Sequence, residues 1–564
     1  MESSLSTPAL PGRQPRTADV GIVGGGPVGM MLALFLERHG VATVLFNTDS
    51  TPRAHPKGST HNSRTMEHYR RLGLSAAVRR LGLPASHPTD VAYFTRYNSY
   101  ELARVIMPSG QEKLRAVIAA PTTVQEFEPI HRANQMYVEK LLLEQVRSRP
   151  RIVARYGWQV TSFEEEAEAV AVIAEQEHGE QAELWRCRYV VGCDGGQSQV
   201  RRQLGIRYAG HDPLRQDFLG GGMMSTYLRA PGLRDCMRGR EAWQYWAVNP
   251  SIRTAMVSLN GDDEFLYWTR LESGARWDPA VAVRGFHAAC GFETPVSLLG
   301  HESWTGGVAL WAERLWSGHR VFLAGDAIHL FTPTGGFGMN TGIDGAGNLA
   351  WKLAALVQGW GGPALAASYE AERKPVAVRN TTAAQLLAKN VGAIRIEGCI
   401  EEASSRGDAA RRDAGAYLET FGEEFASVGV QLGVRYDGSP LIVEDGVPPR
   451  DSYVAYIPSG VPGGRAPHVF LDPPGMRQRR SLFDLFGVGF TLLRLGRRPP
   501  AAEALTRAAQ RRGMPLDVVE VPDDDARELY GRDLALVRPD QHICWRGDAL
   551  PGDCDALLRR VIGA

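Results

Sequence analysis

The stretch Val20-Gly21-Ile22-Val23-Gly24-Gly25-Gly26-Pro27-Val28-Gly29 limits what this chain can fold into more than any other segment. Val20 to Val23 reads as a short, fully buried parallel strand, and it runs straight into a Gly24-x-Gly26-x-x-Gly29 turn. Met30, Met31, Leu34 and Phe35 then recur at helical spacing, His39-Gly40 closes the helix, and Val41 to Phe46 supplies the next apolar strand. That is a complete βαβ unit. In it Gly24 allows the tight turn, Gly26 lets the backbone approach a pyrophosphate, Pro27 opens the helix, and Gly29 lets helix and strand pack closely. The helix N-terminus then faces the phosphates. A plain strand-to-helix turn could use the same glycines, so it is the flanking strand and helix that favour a dinucleotide. The fingerprint expects an acid at the end of the second strand to hold a ribose hydroxyl. Here that place is Asn47, which can accept a hydrogen bond but carries no charge, so ribose binding would be weaker or shared with Asp49, Arg53 or the backbone.

A chain of 564 residues exceeds one ordinary core, and roughly two to four domains are expected. Basic and acidic residues balance at 63 each. That balance gives no electrostatic reason for a nucleic acid or an anionic membrane as partner and leaves a small molecule as the better expectation. The seven cysteines are scattered and form no CxxC pair, so neither a disulfide framework nor a metal site is expected, and a reducing cytoplasm fits. Residues 1–17 are rich in Ser, Pro and Gly without the apolar core of a signal peptide and read as a mobile tail. No window approaches the roughly twenty apolar residues of a membrane-spanning helix, so a soluble chain is expected.

Two further strand-to-glycine junctions follow. Tyr189 to Cys193 reads as a buried strand running into Asp194-Gly195-Gly196-Gln197-Ser198 and a short helix. Arg320 to Ala324 is another, followed by Gly325-Asp326-Ala327-Ile328-His329 and the loop Pro333-Thr334-Gly335-Gly336-Phe337-Gly338-Met339-Asn340. Gly325 lets the strand end approach a ligand, Asp326 can accept from a ribityl hydroxyl, and the loop glycines expose backbone N–H groups that can meet an electron-rich flavin edge. The alternatives are helix N-capping for Asp326 and a structural hydrogen bond for His329.

With these three motifs in order, the chain resembles the class A flavin-dependent aromatic hydroxylases, the family of para-hydroxybenzoate hydroxylase and phenol hydroxylase. Within it, the chain is most similar to the bacterial secondary-metabolism branch of polyketide hydroxylases and an indolocarbazole enzyme. The resemblance rests on Gly24-x-Gly26-x-x-Gly29, on Asp194-Gly195 with Arg201 downstream, and on Gly325-Asp326 running through Pro333 and Asn340 to Asn348-Leu349-Ala350-Trp351-Lys352-Leu353. It implies bound FAD, with NADPH or NADH and O2 as co-substrates. It implies that Asp326 binds FAD, that Gln135 contacts it, and that the loop from Pro333 through Gly336, Gly338, Met339 and Asn340 borders the isoalloxazine. It also implies that Asp194-Gly195 supports both FAD and NAD(P)H, and that Arg53, in the loop to Lys57, touches FAD. A solvated basic loop is the alternative for Arg53.

The expected fold class is α/β: a Rossmann-like FAD-binding domain with an inserted antiparallel-sheet substrate domain and a C-terminal thioredoxin-like α/β domain. The flavin domain takes 18–90, 120–205 and 303–395. The substrate sheet takes 91–119 and 206–302, where Trp243 to Val248 and Arg253 to Ser258 alternate polar and apolar residues. A helical connection spans 396–440, and Tyr369 to Pro375 reads as a stop or bend between helical runs. Val469 to Leu471, Gly489 to Leu495, Leu516 to Val521 and Ala535 to Pro539 read as strands of the last domain, 441–564, which resembles the thioredoxin-like tail of these hydroxylases without a CxxC.

The resemblance implies an NAD(P)H-consuming monooxygenase that hydroxylates an aromatic or polycyclic phenolic substrate through a flavin C4a-hydroperoxide. A group favouring the phenolate would help, and Tyr245, Arg253 and His301 are the candidates, each of which could equally be a structural sheet residue. Baeyer-Villiger oxygen insertion on the same fold and a non-catalytic flavin-binding scaffold are the alternatives. A monomer or homodimer is expected.

Overall fold

The computed structural model describes residues 14–176, 179, 181–211, 221–271, 276–306, 308–392, 394–425 and 427–564. Residues 1–13 of the expected tail, and 212–220 and 272–275 of the expected substrate domain, lie outside the described residues.

Arg16–Val23 sits inside a seven-stranded sheet. On one side it pairs in parallel with Thr43–Asn47, which in turn pairs with Ile152–Tyr156. On the other it pairs in parallel with the long strand Ala182–Gly192. That strand serves two partners along one edge. Its first half pairs antiparallel with Val170–Gln176, and Val190 to Gly192 pair in parallel with Val321–Leu323. The central strands are apolar because they are packed into one core with the helices and with the strands Trp158–Glu165 and Val170–Gln176. Helix Pro27–Arg38 is buried from Val28 to Leu36 and packs against helices Gln135–Ser148 and Phe337–Gln358. The first strand begins at Arg16, earlier than the sequence suggests, because Arg16 and Thr17 pair with Trp185 and Arg186 of the long strand.

A second seven-stranded sheet runs in the order Ser297–Gly306, Gly221–Arg229, Glu264–Arg270, Arg253–Ser258, Gln244–Val248, Val91–Phe94, Glu101–Val105. Its neighbours are antiparallel except Val91–Phe94 beside Gln244–Val248. One face carries Tyr93, Trp246, Ala255 and Val257 and packs with Met136 of the helix Gln135–Ser148. The other carries Phe94, Tyr245, Met256 and Tyr267 and packs with Phe286 of the helix Pro279–Cys290. Period-two alternation thus separates a wall facing the flavin domain from a wall facing outward.

Helix Ala364–Gly392 runs unbroken through Pro375, contrary to the expected stop or bend. Pro375 and Ala371, whose carbonyl loses its N–H partner, are both exposed, so water can take over the missing bond. The last domain orders Leu516–Val521, Phe490–Leu495, Leu534–Val537 and Ile543–Gly547 into a mixed four-stranded sheet. Phe490–Leu495 pairs in parallel with Leu516–Val521 and antiparallel with Leu534–Val537, and helices Glu503–Arg511, Asp524–Tyr530 and Cys554–Val561 flank them, a thioredoxin-like arrangement. Val469 to Leu471 forms only an isolated bridge, Phe470 to Ser481, rather than the expected strand; Pro467 before it and Pro473-Pro474 after it limit further pairing. Cys544 and Cys554 are buried free thiols whose ionisation burial disfavours.

Candidate functional site

The three glycine junctions meet at the carboxyl ends of the parallel strands, where open α/β sheets place their ligands. Gly24 N–H donates to Phe46 O (2.8 Å), Cys193 N–H to Val23 O (2.7 Å) and Ala324 N–H to Gly192 O (2.8 Å). Gly24 has φ +111°, and a Cβ there would stand 2.3 Å from Cys193 O. A Cβ on Gly29 would stand 2.0 Å from Gly24 O, so this glycine exists for close packing. Gly26 differs: an added Cβ would meet nothing within 4 Å. It is the N-cap residue of helix Pro27–Arg38 and offers no side-chain cap.

A second uncapped helix start lies beside the first. Gly335 (φ +73°) and Gly336 (φ +64°) lead into helix Phe337–Gln358, whose N-cap is Gly336. A Cβ on Gly342 of this helix would stand 2.6 Å from Val28 Cγ2 and 3.1 Å from the Gly325 Cα, so the two helix starts and the third junction touch. Asn340 fixes the loop: its Nδ2 donates to Thr60 O and Gly336 O, and its Oδ1 accepts from Asn62 N–H. Two sets of free N–H donors thus border a crevice with room beside Gly26, and this donor set and space fit the pyrophosphate and ring edge of a dinucleotide such as FAD.

Asp326 opens onto this crevice, yet enough protein surrounds it that burial pushes its carboxyl above the usual range, with Lys57 opposing. It caps no helix. Tyr208 links the second and third junctions, donating to Asp326 O (2.6 Å) while the Arg201 guanidinium lies 3.9 Å from its ring centroid. Asp194 is spent locally. Its carboxylate accepts from Ser198 Oγ, Gln199 N–H and Val200 N–H and so starts the helix Gln199–Gln203, with Gly195 at φ +79°. Asn47 Oδ1 accepts from Gly25 N–H (3.0 Å) and its Nδ2 donates to Asp49 O, so this residue braces the glycine turn. Gln135 donates to Glu139 Oε1 (2.6 Å). Arg53 is exposed, 3.9 Å from Asp49. Pro333, Gly338 and Met339 line the loop and are half-buried.

The three candidates in the sheet do not gather. Tyr245 packs outward between Phe94 and Tyr97, its Oη accepting from Ala242 N–H (2.7 Å). His301 is exposed and stacks on Trp277 at 3.7 Å. Only Arg253 shares the strand face of Ala255 and Val257, at the beginning of its strand. The face toward the flavin domain is instead aromatic and carries a polar group that no motif announced. Glu424, in the 3-10 turn Thr420–Glu424, is buried and accepts from Gly335 N–H at 3.0 Å. Burial pushes its carboxyl up to about 7, with Arg132 opposing. The Arg132 guanidinium lies 3.7 Å from the Trp243 ring centroid and donates to Thr60 Oγ1. Tyr93 stacks on Trp246 at 5.8 Å.

Known proteins share both the sequence and the fold. A family model described as FAD binding domain matches residues 17–384, and one described as the C-terminal part of aromatic-ring hydroxylases matches residues 459–564. FAD-dependent monooxygenase apdD of Emericella nidulans is 32% identical over 96% of this chain and 90% of its own length. The 2,4-dichlorophenol 6-monooxygenase of Delftia acidovorans is 29% identical over 96% of this chain and 98% of its own. RebC, solved with bound 7-carboxy-K252c, superposes with a TM-score of 0.86 at 32% identity, over 98% of this chain and 100% of that one. The chain therefore belongs to the FAD-dependent aromatic-ring hydroxylases.

Proposed function

We propose that this protein is an NAD(P)H-consuming monooxygenase that places a hydroxyl on an aromatic or polycyclic phenolic substrate. The observation that carries the reading is the pair of uncapped helix starts at the carboxyl ends of the parallel strands, next to a loop whose Gly335 N–H is held by Glu424 from the segment that packs on Tyr93 and Trp243. FAD, when bound there, supplies a redox centre that takes a hydride from NAD(P)H and passes one atom of O2 to the ring, the other leaving as water.

The chain's own part is binding and positioning. The free N–H groups at the start of helix Pro27–Arg38 offset pyrophosphate charge, and those at the start of helix Phe337–Gln358 face the flavin edge. Asp326 is the acceptor for a ribityl hydroxyl, an assignment supported by its place on the crevice. The aromatic wall holds a flat ring by stacking and keeps water from the reacting atoms. Simple phenols and fused polycycles both suit a wall of this kind; the relatives named above act on 2,4-dichlorophenol and bind 7-carboxy-K252c.

The test is incubation with NADPH and oxygen-18 gas against 2,4-dichlorophenol, polyketide quinones and indolocarbazoles, read by mass spectrometry. One labelled oxygen in a product, with one NADPH consumed per product, is expected. NADPH consumption without labelled product from any compound contradicts the reading.

A further inference from the structure

The flavin-facing wall contains more polar hydrogen-bonding capacity than the protein itself uses. Tyr93 Oη, Trp243 Nε1 and Arg132 Nε are all buried, and none has a hydrogen-bond partner among the described residues. Buried polar atoms are ordinarily paired, and a group of them left open in one place marks a position that another molecule completes. They come from separate parts of the chain: Tyr93 from the strand Val91–Phe94, Trp243 from the start of Gln244–Val248, Arg132 from the short strand His131–Arg132. Glu424 joins them from the connection between the flavin and last domains. Its charge opposes the loss of the Arg132 cation and disfavours ionisation of Tyr93, which places the carboxylate within electrostatic reach of both.

Aromatic rings close the surroundings. Phe421 meets Tyr93 edge-on at 6.4 Å, and Phe425 meets Trp243 edge-on at 6.3 Å. The turn that carries Glu424 is therefore fixed to the sheet on both flanks, while Glu424 itself holds Gly335 N–H of the flavin loop. One carboxylate thus touches the loop at the start of helix Phe337–Gln358 and lies within electrostatic reach of Tyr93 and Arg132.

We infer that Glu424 and Tyr93 are the polar anchor for the substrate's ring hydroxyl: Glu424 accepts the substrate O–H, Tyr93 donates to the substrate oxygen, and Arg132 balances the charge. The inference rests on the hydroxylase reading and adds the feature by which the site selects its substrate, a ring that carries a hydrogen-bond donor beside the carbon to be attacked. Once Glu424 is ionised, as pH rises through about 7, a carboxylate accepting that O–H draws the proton away from the ring oxygen and makes the ring a better nucleophile, without leaving the substrate anion unpaired. The bond to Gly335 gives the same residue a hold on the flavin loop, so ring and flavin edge are positioned from one atom group.

The test uses FAD-loaded wild type, Glu424→Gln and Tyr93→Phe, titrated by calorimetry with 2,4-dichlorophenol and with 1,3-dichlorobenzene, the same ring lacking the hydroxyl. Glu424→Gln keeps the side-chain volume and an oxygen for Gly335 N–H; Tyr93→Phe removes only the hydroxyl. Wild type is expected to prefer the phenol. Each variant is expected to bind the phenol about tenfold more weakly, as for loss of one charge-assisted or buried hydrogen bond, with dichlorobenzene binding and FAD content unchanged. Failure of wild type to select the phenol, undiminished phenol binding in both variants, or equal weakening toward both ligands overturns the inference. NADPH oxidation is followed in parallel. Phenol-stimulated oxidation that persists unchanged in both variants counts against the anchor and leaves the hydroxylase reading standing. A wild type that binds the phenol selectively but never oxidises NADPH defeats the hydroxylase reading and leaves the anchor standing.

Discussion

Arg465 and Glu67 form a buried, two-pronged ion pair, Nε to Oε2 at 3.0 Å and Nη2 to Oε1 at 2.6 Å, that fastens the last domain to the helix Ser63–Arg71 of the flavin domain. Both side chains are 1% exposed. Arg64 shares the same carboxylate and reaches on to Asp344, which Arg373 also holds. Removing Arg465 takes the donor from Glu67 Oε1 and leaves the buried carboxylate with Arg64 on Oε2. Arg465→Met is therefore expected to lower stability by about 3–5 kcal/mol, measured by urea unfolding, whereas the joint replacement Glu67→Gln with Arg465→Met is expected to cost less than the sum of the two single changes.

Gly26 and Gly24 separate cofactor binding from folding. Gly26 has φ −72° and open space where a Cβ would go, so Gly26→Val is expected to fold with a melting temperature near that of wild-type apoprotein while losing copurified FAD. Gly24→Ala meets Cys193 O and a positive φ, and is expected to lower the melting temperature of the apoprotein itself. Differential scanning calorimetry with flavin absorbance distinguishes the two.

Glu424 makes stability depend on pH. Its carboxyl rises from the ordinary 4.5 to about 7 because burial disfavours the anion, with Arg132 the opposing charge and Tyr93 facing it. The folded protein therefore holds this proton when the unfolded chain has lost it. The contribution is fully present below pH 4.5 and is lost as pH rises through about 7, a change of about 3 kcal/mol. Glu424→Gln is expected to remove that slope, so its stability relative to wild type should climb between pH 5 and pH 7, read by denaturant unfolding across the series. A constant difference would refute it.

Pro375 should be dispensable for the helix it interrupts. Pro375→Ala restores an N–H that Ala371 O can accept within Ala364–Gly392, and is expected to raise stability by roughly 1–3 kcal/mol without changing FAD content.

Much of this was legible from local chemistry. The turns at Gly24, Gly195 and Gly325 could be read because each places a glycine at positive φ within a few residues of an apolar strand. The sheet candidates were harder, because which face a strand residue takes depends on register. The ladder between Gly221–Arg229 and Ser297–Gly306 shifts between Tyr227 and Leu228, and His301 lies just past that shift, facing outward with Trp277. Tyr245 alternates correctly in its strand, but the helix Pro279–Cys290 covers its side, and nothing in its own segment says which side that helix takes. Asn47 stands at the expected place of the ribose acid, and its bond from Gly25 N–H was not legible in its own segment. Glu424 had no local signal at all. Its partner Gly335 is 89 residues away, and a lone carboxylate in a helical connection is indistinguishable from a solvated one until the packing of Phe421 and Phe425 is seen.

The most direct measurement is the visible spectrum of the purified protein, followed under anaerobic conditions by NADPH titration with and without 2,4-dichlorophenol or a polycyclic phenol. A flavin spectrum that bleaches, and bleaches faster with one of these compounds, is the result this account predicts. A protein that stays colourless after FAD is added, with its fold intact, would contradict it.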